Sequence, residues 1–342
     1  MQGWGWLYGW VATALFAGIL SFVASSVATA MARNAGMVIE PGKRQSHDVA
    51  TPTGGGLGLV LAIVITSFYL HASLPLPAFW WIGMLPGILL LCTIGWLDDS
   101  RHVSAWLRIF VQLAVSIWLL ASVSLQSYGG DMVTAIITVV AMVWYMNLYN
   151  FMDGSNGMAA FQGVFAGLLL AVLLGIHDHV PAALLALVVA AACAGFLPLN
   201  FPSARVFMGD VASVPLGFIF AALSLYGVGQ GAFTWPVAVL VMAVFIVDAT
   251  LTLLARVIRR EQWYTAHAQH VYQRLIGHGW SHRKVLVVYQ AANLVIVLPA
   301  VVLAENNSNN AALTAGLTLA LLGACWYFAN RRLGMLAEVQ TK

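Results

Sequence analysis

Charged residues are scarce in this sequence, and that scarcity decides its class. They make up 8% of the chain, against about a quarter of a typical soluble domain. Hydrophobic residues make up 61%, and the mean hydropathy is +0.87. A water-soluble core is therefore excluded. A transmembrane β-barrel is excluded too, because its strands would alternate apolar and polar residues instead of forming continuous apolar runs.

Cysteines are also scarce. The three present, Cys92, Cys193 and Cys325, all lie in apolar runs, which argues against a disulfide framework and against a thiolate metal cluster. The first ten residues, MQGWGWLYGW, carry no charge, and the apolar run that includes them is too long for a signal peptide. We therefore expect a retained first span.

Long apolar runs are abundant. A helix of about 20 residues crosses the hydrocarbon layer of a bilayer, and eleven runs reach or approach that length. They predict an all-α polytopic membrane protein, a single integral membrane domain over residues 1–342. Boundaries read from the sequence place its helices near 9–30, 53–71, 79–96, 104–124, 132–150, 157–175, 180–198, 211–228, 234–256, 285–304 and 311–330.

All fifteen lysines and arginines fall on one side of this eleven-helix map. The even-numbered loops hold only acidic charges, at Asp131, Asp178 and Glu305. By the positive-inside rule, the odd loops and the C-terminus lie in the cytoplasm and the N-terminus lies outside. The basic excess is then a sign of membrane orientation, and we expect no nucleic-acid partner.

Polar clusters fall on the same predicted cytoplasmic side, in the odd-numbered loops. Numbered from the N-terminus, these are loop one (31–52), loop three (97–103), loop five (150–157), loop seven (199–210) and loop nine (257–284). A secondary transporter is the alternative from another functional class. It would place polar groups at broken helices near the membrane midplane and show inverted repeats, and the sequence displays neither. The one-sided clusters favour an enzyme at the membrane surface.

Carboxylates mark two of these loops. Asp98 and Asp99 close the third run in GWLDD, and adjacent helical side chains point about 100° apart, so the two can serve different partners. They could hold Mg²⁺, take a proton from an acidic substrate, or only end the helix. Asp210 precedes the eighth run, where a carboxylate is either an ordinary N-terminal helix residue or an oxygen ligand for Mg²⁺.

The stretch NLYNFMDGSNG interrupts two apolar runs with polar groups at steps of three. Asn147, Asn150, Asp153 and Asn156 follow that spacing, which brings successive members to one helix face and continues into the turn. A helix cap needs fewer polar groups than this. The spacing therefore favours a binding site.

Loop nine carries His267 and His270 in AHAQH. A zinc pair is the alternative, but it would want a third ligand at similar spacing, and the nearby arginines fit an anion better. Phosphate binding is the preferred interpretation. The glycines of TPTGGG at 51–56 could offer backbone N–H groups to phosphate, and Asp248, an ionisable residue within the ninth run, is a functional candidate.

Four motifs in this order, GWLDD, NLYNFMDGSNG, VFMGD and AHAQH, closely resemble those of the polyprenyl-phosphate N-acetylhexosamine-1-phosphate transferases, glycosyltransferase family 4. The match spans about residues 43–275, and it is most similar to bacterial enzymes that initiate O-antigen or other surface polysaccharides. The resemblance implies transfer of an N-acetylhexosamine-1-phosphate from a UDP-sugar to undecaprenyl phosphate, with release of UMP. It implies Mg²⁺ as cofactor, with Mn²⁺ as the alternative, and a site on the cytoplasmic face of the bacterial inner membrane. It also allows a homodimer.

The resemblance implies roles for individual residues. Asp98, Asp99 and Asp210 would be catalytic, and Asp210 and Asn150 would contact the metal. The substrate-binding residues would be Asn147, Asp153, Asn156, Lys43, Arg44, His47, Arg205, His267, His270 and Arg274.

Two positions depart from the family pattern. Asn156 stands where many bacterial members have aspartate near the uracil, which leaves the base preference open. Ala268 lies between the histidines where relatives often carry arginine, so that one phosphate contact would be missing or supplied by Arg274. The sequence also leaves open the family's peptidoglycan enzyme, which uses UDP-MurNAc-pentapeptide and would be expected to carry a richer histidine run in loop nine.

Overall fold

We describe the fold from a computed structural model of the chain, which covers residues 3–39, 50–122, 131–262 and 267–340. Lys43, Arg44 and His47 lie outside these residues. A two-residue strand pair, β1 (Val38–Ile39) with β2 (Thr51–Pro52), is the sole sheet in the covered ranges, and the all-α prediction is confirmed. The helices are α1 (Gly3–Asn34), α2 (Gly56–Ser73), α3 (Leu85–Arg101), α4 (Ala105–Ala121), α5 (Met132–Phe151), α6 (Met158–Ile176), α7 (Val180–Asn200), α8 (Asp210–Gly229), α9 (Trp235–Leu240), α10 (Ala243–Ile258), α11 (Val271–Gly277), α12 (His282–Ala292), α13 (Leu298–Asn306) and α14 (Ala311–Gln340).

Each of the eleven predicted apolar runs is mainly helical where the structure describes it. Nine helical segments within the described ranges are long and apolar enough to cross a membrane. Two of them include π-helical turns, at Phe79–Met84 before α3 and at Asn293–Val297 between α12 and α13. The two other predicted runs do not form a helix of this length, for different reasons. At 17 residues α4 is slightly short, and the run at 234–256 is broken into α9 and α10.

The break between α9 and α10 is stabilised by buried amides. A carbonyl freed from a helix inside a bilayer needs a donor from a neighbouring helix. Gln162 Nε2 approaches the carbonyl oxygen of Val241 at 3.4 Å, and Asn293 Nδ2 donates to Gln162 Oε1 at 2.7 Å. All three residues are buried. Helix α6 and the π-helical turn after α12 thereby supply the polar groups at the bend of this span.

Helix α8 is the most buried span, and α3 and α5 pack against it. Glycines permit the close approach. A Cβ at Gly217 would stand 2.7 Å from Cα of Met146 in α5, and one at Gly95 in α3 would overlap the backbone of Asp210. The ends of α3 and α5 therefore meet the first turn of α8.

The glycine run before α2 has a different use from the one expected. Gly55 and Gly56 donate their backbone N–H groups to the carbonyls of Phe207 and Met208 at 3.1 and 3.0 Å, and Phe207 N–H donates to Pro52 at 2.8 Å. These two N–H groups are thus paired within the protein, and the prediction that they face phosphate is wrong for them. They fix the loop before α8 against the start of α2.

Candidate active site

The centre of the site is an ion-pair cluster that joins three helices. Arg108, in the first turn of α4, places Nη1 2.8 Å from Asp98 Oδ2 at the end of α3 and 3.0 Å from Asp210 Oδ2 at the start of α8. Asp98 also accepts the backbone N–H of Val103 at 2.7 Å. All three charged side chains are partly exposed, so the cluster is open to a ligand.

Asp99 points away from its neighbour, as the 100° spacing predicts. Its two carboxylate oxygens accept the backbone N–H groups of Asp210 at 3.0 Å and Val211 at 3.2 Å. Those N–H groups belong to the unpaired first turn of α8, where a carboxylate is stabilised by the helix dipole. Asp99 therefore fixes the position of Asp210.

Asn150 and Asp210 meet although sixty residues separate them in the sequence. Asn150 Nδ2 donates to Asp210 Oδ1 at 2.7 Å and to Ser213 Oγ at 2.9 Å. Two residues that each merely capped its own helix would need no such contact. A carboxylate and an amide whose oxygen is a neutral ligand for hard cations lie side by side here.

Asp153 adds a further carboxylate beside this cluster. Burial, together with the negative charges of Asp210 and Asp99, raises the pKa of Asp153 well above its usual range. A hydrogen bond from the backbone of Gly209 opposes that shift. The carboxyl groups of Asp98, Asp99, Asp153 and Asp210 thus lie close together beside a single guanidinium, so a cation bound among them would favour their ionised forms.

The sequence pattern described as glycosyl transferase family 4 matches residues 81–228, the segment that carries every one of these side chains. Decaprenyl-phosphate N-acetylglucosaminephosphotransferase from Mycolicibacterium smegmatis is 31% identical over 316 residues, which cover 80% of this chain and 77% of that protein. This chain belongs to the polyprenyl-phosphate N-acetylhexosamine-1-phosphate transferase family.

Other relatives of this transferase are more distant in sequence. The probable undecaprenyl-phosphate N-acetylglucosaminyl 1-phosphate transferase of Bacillus subtilis is 28% identical over 78% of the chain and 77% of its own length. A phospho-N-acetylmuramoyl-pentapeptide-transferase of Caldicellulosiruptor bescii is 26% identical over 79% of the chain and 88% of its own length. Both named activities thus occur among its relatives.

In the transferase, the end of NLYNFMDGSNG contacts loops seven and nine. Asn156 Nδ2 donates to the carbonyl of Pro202 at 3.1 Å, and Gly157 N–H donates to Asn200 Oδ1 at 2.7 Å. His282 Nδ1 lies 2.8 Å from Ser155 Oγ. Asn156, the position that the family resemblance places near the uracil, is therefore held against loop seven.

Loop nine packs directly on the end of α5. His270 precedes α11 and stacks on Phe151 and Tyr272, with ring centroids 6.2 and 5.8 Å apart. Tyr272 donates its hydroxyl to the carbonyl of Phe151 at 2.9 Å. Phe151 follows Asn150 in the sequence. The loop that carries His267 and His270 (the histidine loop) therefore lies beside the residues expected to contact the metal.

His267 lies outside a helix, but its ring centroid is 5.0 Å from that of His270. Burial, followed by the nearby His270 and Arg256, lowers the pKa of His267 to about 4. This imidazole is therefore neutral near pH 7 and can donate a hydrogen bond to an anion without adding positive charge.

Asp248 has a positioning role. This buried carboxylate accepts hydrogen bonds from Thr252 Oγ1 at 3.1 Å, the backbone N–H of Val271 at 3.0 Å and the Tyr289 hydroxyl at 2.5 Å. His270 Nδ1 lies 3.8 Å from it. Asp248 thus anchors the start of α11 and with it the histidine loop.

Two predicted substrate residues have other contacts in the structure, and a third is exposed. Asn147 donates to Gln112 Oε1 at 2.7 Å and so links α5 to α4. Arg205 is exposed on loop seven, and Arg274 Nη1 contacts Asn330 Oδ1 of α14 at 2.5 Å. Their substrate-binding roles stay predictions.

The sequence reasoning missed Arg108 and Tyr272 as site residues. Arg108 carried a signal, since it is a cation in the first turn of an apolar helix, which begins a few residues after the Asp98–Asp99 pair. Tyr272 carried none, because its contact with Phe151 depends on how loop nine folds back. The carbon that any other residue would add at Gly154 would overlap the Tyr272 hydroxyl, which explains the glycine of FMDG.

Proposed function

We propose that this protein transfers an N-acetylhexosamine-1-phosphate from a UDP-sugar to undecaprenyl phosphate, and that this step initiates a lipid-linked O-antigen or related surface polysaccharide. The observation that carries the proposal is the contact of Asp210 with both Asn150 and Arg108 beside Asp98. In the transfer, an oxygen of the lipid phosphate attacks the sugar-bearing phosphorus. The bond to the uridine-bearing phosphate breaks, so UMP leaves and a lipid-linked diphosphate forms.

We propose Mg²⁺ as the cofactor, with Asp210 and Asn150 as its protein contacts. No group of three or more His, Cys, Asp or Glu side chains in the described ranges is arranged to hold a metal ion. Mg²⁺ does not require one, because it commonly takes one or two protein carboxylates plus substrate phosphates and waters. Oxygen donors in carboxylate excess fit that chemistry. When bound, the ion would neutralise charge on the diphosphate.

The protein's own groups would position and neutralise the reactants. Phosphoryl transfer depends on alignment and on charge stabilisation at the transferred group. Asp99 holds the first turn of α8 in place, and Arg108 lies where its guanidinium can shift from a carboxylate to a phosphate oxygen. The neutral His267 and the stacked His270 would bind the donor diphosphate by hydrogen bonds.

The lipid phosphate would reach Asp98 sideways from the bilayer. Large apolar side chains near Asp98 are exposed, with Leu97 at 37%, Trp106 at 82% and Phe110 at 67%. Their exposure supports a membrane-facing surface at the meeting of α3 and α4. An apolar groove that ends at Asp98 stays a prediction.

Arg108→Gln should lower turnover roughly a hundredfold, because it removes a cation beside the transferred phosphate and leaves Asp98 and Asp210 to repel each other. The same change should strengthen Mg²⁺ binding, since the guanidinium competes with the ion for Asp210. Turnover and Mg²⁺ dependence of the purified variant measure both effects. Arg331→Gln, at an exposed arginine of α14, is the matched control. Weaker Mg²⁺ binding in Arg108→Gln would contradict this role.

Affinity for Mg²⁺ should rise with pH. The raised pKa of Asp153 means that this carboxyl holds its proton in the empty site, so a cation must displace it. As the pH rises toward that raised pKa, the dissociation constant should fall by up to about tenfold per pH unit. Calorimetric titration with Mg²⁺ alone measures this, and Asp153→Asn should flatten the dependence. A dissociation constant that does not change with pH would count against a cation beside Asp153.

We propose that the site faces the cytoplasm, on the strength of the fifteen-to-none division of basic residues. Single cysteines can test this in a background in which the exposed Cys325 is serine. Asp131→Cys and Glu305→Cys should react with an impermeant maleimide added outside intact cells, while Ser203→Cys in loop seven should not. The reverse pattern would invert the topology.

A panel of donors decides the substrate. UDP-GlcNAc, other UDP-N-acetylhexosamines and UDP-MurNAc-pentapeptide are each supplied with undecaprenyl phosphate and Mg²⁺, and UMP is measured. We expect turnover with a simple UDP-N-acetylhexosamine. Turnover confined to the pentapeptide donor would establish the peptidoglycan reaction, and no UMP from any donor would remove the proposal.

A further inference from the structure

A polar cavity lies between α10, α11 and α14, on the side of loop nine. Its volume is about 240 Å³. Two guanidinium groups, those of Arg259 and Arg274, contribute to its wall, and burial and the charge of Arg259 lower the pKa of Arg274. The complete lining is Thr252, Ala255, Arg259, Gln269, Arg274, Trp326 and Asn330.

Positive charge in this region exceeds what its acidic neighbour can neutralise. Glu261 contacts Arg256 Nη1 at 2.9 Å and accepts from Gln269 Nε2 at 2.7 Å, while Arg259 Nη1 is 3.5 Å away. The Arg259 side chain is about half exposed, at 54%. Among the described residues, the Arg274 guanidinium bonds only to the neutral amide of Asn330. The cavity therefore has net positive charge that suits an anion.

An apolar cavity of about 230 Å³ shares Trp326 with the polar one. Trp326 donates its indole N–H to Thr252 Oγ1 at 3.3 Å, which fixes the ring at the boundary between the two. Apart from Asp248, whose oxygens are already hydrogen-bonded, the wall of this second cavity is mostly apolar. Its lining includes Val247, Leu275, Val288, Leu322, Cys325 and Ala329.

We propose that the two cavities together bind one anionic phospholipid of the membrane, with its phosphate at Arg259 and Arg274 and part of one acyl chain beyond Trp326. A polar cavity that shares a wall residue with an apolar one matches an amphiphile better than a free anion. The polar cavity contains no carboxylate that could hold a metal ion against a phosphate, so a phosphate there is held without being transferred. Phosphatidylglycerol, an anionic membrane phospholipid, is the probe for this site. This gives Arg274 a lipid partner in place of the substrate phosphate expected from the sequence.

Native mass spectrometry of the detergent-purified protein tests the site without reference to its enzymatic activity. Titration with phosphatidylglycerol should give a saturable bound lipid, and phosphatidylcholine should bind at least about tenfold more weakly, since charge-assisted hydrogen bonds are lost. Arg259→Gln should weaken phosphatidylglycerol binding by a similar factor. Arg260→Gln is the matched control, because Arg260 is the exposed next residue and lies outside the cavity wall; its binding should be unchanged.

A second variant tests the apolar half. Ala329→Phe fills that cavity from a partly exposed position and should also weaken phosphatidylglycerol binding, whereas inorganic phosphate should compete poorly because it lacks a tail. Equal binding by wild type and Arg259→Gln would overturn the assignment. So would equal affinity for phosphatidylcholine, efficient competition by inorganic phosphate, or preferential retention of undecaprenyl phosphate.

Discussion

Asp210→Asn should lower UMP release roughly a thousandfold, because it removes the carboxylate that we propose binds Mg²⁺ beside the donor diphosphate. The change removes charge but little volume. Its backbone N–H still donates to Asp99, and Asn can still accept from Asn150, so the helices should stay folded. Steady-state turnover and thermal unfolding of the purified variant separate the two effects. The variant should also respond less to added Mg²⁺.

Two companion variants make this result interpretable. Asn150→Ala should lose only about tenfold, since a neutral ligand contributes less charge than a carboxylate. Asp178→Asn makes the same chemical change on the opposite side of the map, and at φ 63 asparagine is well tolerated; its turnover should match wild type. Near-normal turnover in Asp210→Asn would remove Asp210 from the metal site.

Gly209→Ala should lower turnover roughly a hundredfold, the cost of displacing a reacting group by about an ångström. Gly209 has φ 77 and ψ 168, a backbone region that is essentially restricted to glycine. The added methyl group would overlap the carboxylate of Asp99. The first turn of α8 must then move, and Asp210 moves with it, while the rest of the helix can remain folded.

Gly231→Ala is the matched control for Gly209→Ala. Gly231 also has a positive φ, of 72°, but no heavy atom lies within 4 Å of the position its Cβ would occupy. This variant should therefore lose about 1 kcal/mol of stability from backbone strain alone and keep normal turnover. If the two alanine variants lost equal activity, backbone strain anywhere in the chain would explain the loss, and the geometry at Asp99 would not.

Much of the fold could be predicted because the bilayer constrains it strongly. Each apolar run is helical since lipid offers the backbone no hydrogen bonds. The break at Val241 could not be predicted, because the amide that approaches its carbonyl oxygen belongs to Gln162, 79 residues earlier. The strand pair near Thr51 was missed for a similar reason, as two residues carry no periodic signal.

The site was predicted as a set of loops rather than as contacts. The three-residue spacing predicted that Asn150 and Asp153 share one face. The structure shows in addition that Asn150 donates a hydrogen bond to Asp210. The hydrogen-bond partners of individual side chains could not be predicted from the sequence. The carboxylate of Asp99 is occupied by the backbone of α8, and that of Asp248 by loop nine and Tyr289. Such second partners depend on packing that no local pattern encodes.

The identity of the nucleotide product tests the proposed reaction most directly. The purified protein is incubated with UDP-N-acetylglucosamine, undecaprenyl phosphate and Mg²⁺, and the released nucleotide and the lipid product are quantified together. Transfer of a sugar-1-phosphate predicts UMP and a lipid-linked diphosphate in equal amounts, with neither formed when a chelator removes the metal. Release of UDP with a lipid-linked monophosphate sugar, or product formation that is indifferent to the chelator, would contradict the account.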